Sequence, residues 1–115
     1  MVTVQTSSAT STAQRLRAIS ELYQQGMASE FMDRTLDKLL AHEADQSRAQ
    51  LRELDRDLGA LEARHGLSSE TFYARYQSGQ TDDRMDFVEW ASLVQMRDGL
   101  RERLQIISGE PSPAA

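Results

Sequence analysis

Between Glu30 and His65 the chain contains no proline and only one glycine, Gly59, so nothing in this stretch forces a helix to end. A helix of that length would span roughly 54 Å, long for a small globular domain, and must lie against something along its length. Its second half carries Leu51, Leu54, Leu58 and Leu61, with the alternating three- and four-residue steps of a coiled-coil seam. The same frame continued backward meets Ser47, Ala44 and Leu40, so the middle of the seam is thin and a partner helix is expected to approach closely there.

Gly66 follows as the expected C-terminal stop, and Ser68 as the N-cap of a short helix from Ser69 to Gln77. Leu67 facing Phe72 would form a hydrophobic staple at its start, and Phe72 and Tyr76 share one face. After the polar link Gln80 to Asp83, a last helix is expected to run to about Ser108, with Asp83 as N-cap and Asp86 at the third position. Its apolar stripe is Phe87, Trp90, Leu93, Val94, Met96, Leu100, Leu104 and Ile107, which matches the long helix in period. Joined through the short helix and the polar link, the two are expected to lie antiparallel. The fold class is therefore all-α: a long antiparallel, coiled-coil-like helical hairpin with a short aromatic helix at the bend and an extra N-terminal helix.

That extra helix is expected to begin near Thr12 and end before Gly26, because Leu16, Ile19, Leu22 and Tyr23 form one stripe. Ser29 is the expected N-cap of the long helix, with Glu30 and Asp33 in its first turn complementing the dipole. Residues 1–12, rich in Ser and Thr, read as a disordered lead-in, and residues 109–115 as a disordered tail. A single helical domain is expected over 13–108.

A net charge of −5 disfavours nucleic acid as a partner, since phosphate binding needs clustered bases. All basic residues but Lys38 are Arg, which suits bidentate pairing with carboxylates. Cysteine is absent, so no thiolate chemistry is available. Neither a signal-peptide pattern nor a membrane-length apolar run occurs, and the expected location is the cytoplasm.

Chemistry-bearing constellations are sparse. Asp82, Asp83, Asp86 and Glu89 lack the alternating acids of a calcium loop and suit a helix N-terminus. His42 and His65 lie too far apart along one helix to share a metal, and His42-Glu43 is followed by Gln46 where a zinc-protease helix needs its second histidine. No catalytic residue, cofactor or metal site is expected. Five of the seven aromatic residues, Phe72, Tyr73, Tyr76, Phe87 and Trp90, crowd around the bend as a small core. Tyr73 and Arg75 fall on the face opposite Phe72 and Tyr76 and are the expected exposed members. In the N-terminal third, Leu16, Ile19, Leu22, Tyr23, Met27, Phe31, Met32, Leu36, Leu39 and Leu40 make a second apolar surface beyond the reach of the last helix.

The series Arg64-His65-Gly66-Leu67-Ser68-Ser69-Glu70-Thr71-Phe72, then Arg75-Tyr76-Gln77-Ser78-Gly79, then Asp86-Phe87-Val88-Glu89-Trp90 resembles a family of small prokaryotic all-helical proteins. Members look like antitoxin-type companions of small toxin-like proteins. The resemblance lies within Leu51 to Leu104 and implies a protein partner, while transferring no binding residue.

The expected function is a non-enzymatic, antitoxin-like interaction module that sequesters a protein partner through its N-terminal helices. Its expected partner-binding residues are Tyr23, Met27, Phe31, Met32, Leu36, Tyr73 and Arg75. The rival expectation is a self-associating coiled-coil protein, a homodimer paired along the Leu51 to Leu61 seam. A third is a metal-dependent enzyme using the acids near Asp86.

Overall fold

The structure is a computed structural model that describes the backbone of residues 3–109 and the side chains of residues 11–109. Among the described residues it has four helices: α1 (Thr3–Gln24), α2 (Glu30–His65), α3 (Ser69–Gln77) and α4 (Met85–Ser108). The first begins at Thr3 rather than near Thr12. No proline or glycine lies between Thr3 and Gln24, and Ser and Thr only weaken a helix that nothing breaks. The expectations for residues 1–2 and 110–115 lie outside the described residues. Gly109 is the left-handed cap of α4, at φ 70°.

The chain divides into two compact units, with the division inside α2 between Leu39 and Leu40. The cause is the location of the core: every buried side chain among the described residues belongs to the second unit.

In that unit α2 packs against α4 as an antiparallel hairpin. The buried face of α2 is Ala44, Ser47, Leu54, Leu58 and Leu61, with Leu51 half-buried, which is the seam expected from the spacing except at Leu40, which is exposed. Burying each leucine contributes roughly 2 kcal/mol before entropy is subtracted. Two cross-links fix the register: Arg103 Nη1 donates to Ser47 Oγ at 2.6 Å, and Arg64 Nη1 lies 3.5 Å from Asp86 Oδ2. At the thin part of the seam a long side chain is the partner, since Arg103 also reaches Glu43 Oε1 at 2.6 Å.

On α4 the buried set is Trp90, Ala91, Val94 and Arg97. Met96, expected in the stripe, is 54% exposed, and Arg97 takes an inward position instead. A long aliphatic stem can line a core while its guanidinium finds an acid, here Asp98 Oδ1 at 3.4 Å from Nε. The N-terminus of α4 also differs from expectation. Asp82 Oδ1 accepts the Arg84 N–H at 3.1 Å, which turns the chain locally, and the helix starts at Met85 with Arg84, not Asp83, as its cap residue. Asp86 therefore sits one position earlier in the first turn than expected.

At the bend, Gly66 takes φ +63°, a conformation that strains any residue with a Cβ, and the Leu67 N–H returns to the Glu62 carbonyl at 3.3 Å. Ser68 caps α3 as expected, its Oγ accepting the Thr71 N–H at 3.1 Å. A second cap comes from α2, where Glu62 Oε2 accepts the Ser69 N–H at 2.8 Å. These caps hold Phe72 over Trp90 with ring centroids 3.9 Å apart and planes 2° from parallel. Leu58, Leu61, Ala91 and Val94 complete the core, and Leu67, Tyr73, Tyr76, Phe87 and Leu93 pack around it.

Candidate protein-docking surface

The first unit is built from α1 and the opening turns of α2. Gly26 takes φ +72°, and the Met27 N–H reaches back to the Leu22 carbonyl at 2.8 Å, closing α1 with a Schellman-type turn. Ser29 then caps α2 as expected, its Oγ accepting the Met32 N–H at 3.2 Å. One side-chain contact crosses this corner: the Tyr23 hydroxyl donates to Asp33 Oδ1 at 2.7 Å. That hydrogen bond to a carboxylate raises the Tyr23 pKa above the usual phenol value, with slight desolvation and the charges of Asp33 and Asp37 adding in the same direction.

None of the side chains from residue 11 to residue 39 is buried. Of the large apolar side chains in this stretch, Met27 and Phe31 are the most open, at 66% and 69% exposure, and Leu16 and Leu39 are also more than half exposed. Ile19, Met32 and Leu36 are half-buried. Four large apolar side chains of this small unit, Leu16, Met27, Phe31 and Leu39, are thus more than half exposed.

Five of the seven residues expected to bind a partner, Tyr23, Met27, Phe31, Met32 and Leu36, lie in this first unit. Tyr73 and Arg75 belong to the second. Arg75 is exposed, but Tyr73 is half-buried against the aromatic core and its hydroxyl accepts from Gln95 Nε2 at 2.9 Å. A wide ring one step from Phe72 on a short helix cannot clear the core by facing away from it.

A second exposed apolar line was not expected. On α4, Met85, Val88, Met96 and Ile106 are exposed, Met85 and Ile106 at 77%. The spacing signals this line only weakly, since Met85 and Ile106 lie opposite the buried set three heptads apart with Ser92 and Gly99 between them. By contrast, the seam leucines Leu54, Leu58 and Leu61 are covered within one copy of the chain.

His65 is half-buried with its ring stacked on Trp90 at 5.3 Å and edge-on to Phe87 at 5.4 Å. Its Nε2 is buried without a hydrogen-bond partner. Among the described residues no three His, Asp or Glu side chains are grouped to hold a metal ion, and no helix is long and apolar enough to cross a membrane. No protein-family model, characterised relative or solved structure matches the chain.

Proposed function

We propose that the chain is a non-enzymatic protein-interaction module whose docking surface is the apolar flank of the first unit, centred on Met27 and Phe31. The observation that carries this reading is the pairing of two-thirds exposure at Phe31 and Met27 with the absence of any buried side chain between residues 11 and 39. A segment that buries so little in one copy gains most from a surface brought to it. Met27 and Met32 suit an adaptable contact, and Phe31 is the natural anchor.

The resemblance in Leu51 to Leu104 makes the antitoxin-like form of this function the leading one: a cytoplasmic companion that sequesters a small toxin-like protein. Pairing between chains along the Leu51 to Leu61 seam draws no support, because most of that seam already faces α4. Co-expression with the product of the adjacent gene, followed by size-exclusion chromatography, tests the proposal. Co-elution of the two proteins, abolished by Phe31→Asp, is the expected result. Separate elution at micromolar concentration overturns it.

A further inference from the structure

We infer that, in the free protein, the docking flank of the first unit is occupied by the outer face of α4 from a second copy of this chain. This deepens the proposed function and rests on the reading of that flank as a docking surface.

On α2, Phe31, Arg34, Lys38 and Leu39 fall at i, i+3, i+7 and i+8 and so share one side of the helix. The apolar members are exposed, and neither Arg34 nor Lys38 makes an ion pair with a described residue. The open strip is thus apolar with a basic border. On α4, the exposed Met85, Val88, Met96 and Ile106 share a side with Glu89 and Glu102, which likewise make no ion pair with a described residue. Arg103, seven residues after Met96, lies on the same side within the strip, but its guanidinium is held by Ser47 and Glu43. The α4 strip is apolar with an acidic border.

The two strips are complementary in polarity and opposite in charge, and both are open in one copy. The charge distribution of the whole chain favours this pairing over like-with-like contact. Arg15, Arg17, Arg34 and Lys38 balance Glu21, Glu30, Asp33 and Asp37, so the entire −5 comes from residues 40–115. Second units repel one another, whereas a neutral first unit with a free basic edge approaches an acidic α4 without that penalty. Another partner must displace this contact to bind, which masks the flank until it arrives.

Sedimentation velocity of the purified full chain at tens of micromolar tests the inference with a charge swap. Wild type sediments above monomer mass and shifts toward monomer as salt rises. Arg34→Glu/Lys38→Glu places acid against acid, and Glu89→Lys/Glu102→Lys places base against base. Each variant alone associates roughly tenfold or more weakly. An equimolar mixture of the two variants regains association, because each then offers the other a complementary strip. All four positions are solvent-facing, and circular dichroism of each variant reports that the helices persist. A monomeric wild type, association indifferent to both reversals, or a mixture no better than its parts overturns the inference. A monomeric wild type that still co-elutes with the adjacent gene product through Phe31 removes only the second copy. Loss of both removes the docking surface itself.

Discussion

Trp90 donates its indole N–H to Ser69 Oγ at 2.9 Å, and both residues are fully shielded from solvent. The largest side chain of the core thus has its one polar atom satisfied by a hydroxyl at the first position of α3, and Glu62 fixes that position from α2. Three helices are tied at one point.

Ser69→Ala leaves the indole donor buried without an acceptor, and a loss of about 1 to 3 kcal/mol is expected in urea unfolding followed by far-UV circular dichroism. Trp90→Phe placed on Ser69→Ala removes the orphaned donor, so the double variant loses less than the two single changes together.

His65 gives the opposite case. Its Nε2 is buried and unpartnered between Trp90 and Phe87. His65→Phe keeps a ring in the stack and removes the unsatisfied atom, so its melting temperature matches or exceeds wild type. His65→Ala empties the space and lowers stability by about 2 kcal/mol.

Position decides the effect of a deletion along α2. Leu58 is buried in the core, whereas Phe31 is largely open. Leu58→Ala costs about 2 to 5 kcal/mol in chemical unfolding, whereas Phe31→Ala stays within about 0.5 kcal/mol in dilute protein, as for a surface substitution.

The Tyr23–Asp33 contact makes the corner of the first unit sensitive to alkali. A phenol whose folded pKa is raised stabilises the fold fully below its unfolded value, about 10, and that contribution is lost as pH rises through the higher folded value. Titration of the Tyr23 ring followed by NMR should have its midpoint above the ordinary tyrosine value. Asp33→Ala moves it back down, and an unchanged midpoint in that variant would show that the hydrogen bond is not the cause.

Much of the fold was legible because helix periodicity and glycine stops are local signals. The seam from Ala44 to Leu61, the turns at Gly26 and Gly66 and the caps Ser29 and Ser68 all depend on residues within a few positions of one another. Arg97 was missed because an arginine buries only where tertiary neighbours provide for its head group, and no local pattern announces that. The start of α4 moved from Asp83 to Arg84 because two adjacent aspartates compete for one turn, and sequence alone does not choose between them. The docking flank was legible as excess apolar surface in the N-terminal third. The exposed line on α4 was not legible, because Met96 fits the period of the inward stripe and only tertiary packing turns it outward.

The first unit has no buried side chain among its described residues, and the proposed docking would complete it with a second surface. Amide hydrogen exchange measured at low and high protein concentration tests it most directly. Residues 11–39 should exchange quickly when dilute and become protected as concentration rises or a partner is added, while residues 54–61 and 87–97 stay protected throughout. Protection of 11–39 equal to that of the hairpin core at the lowest concentration would contradict it.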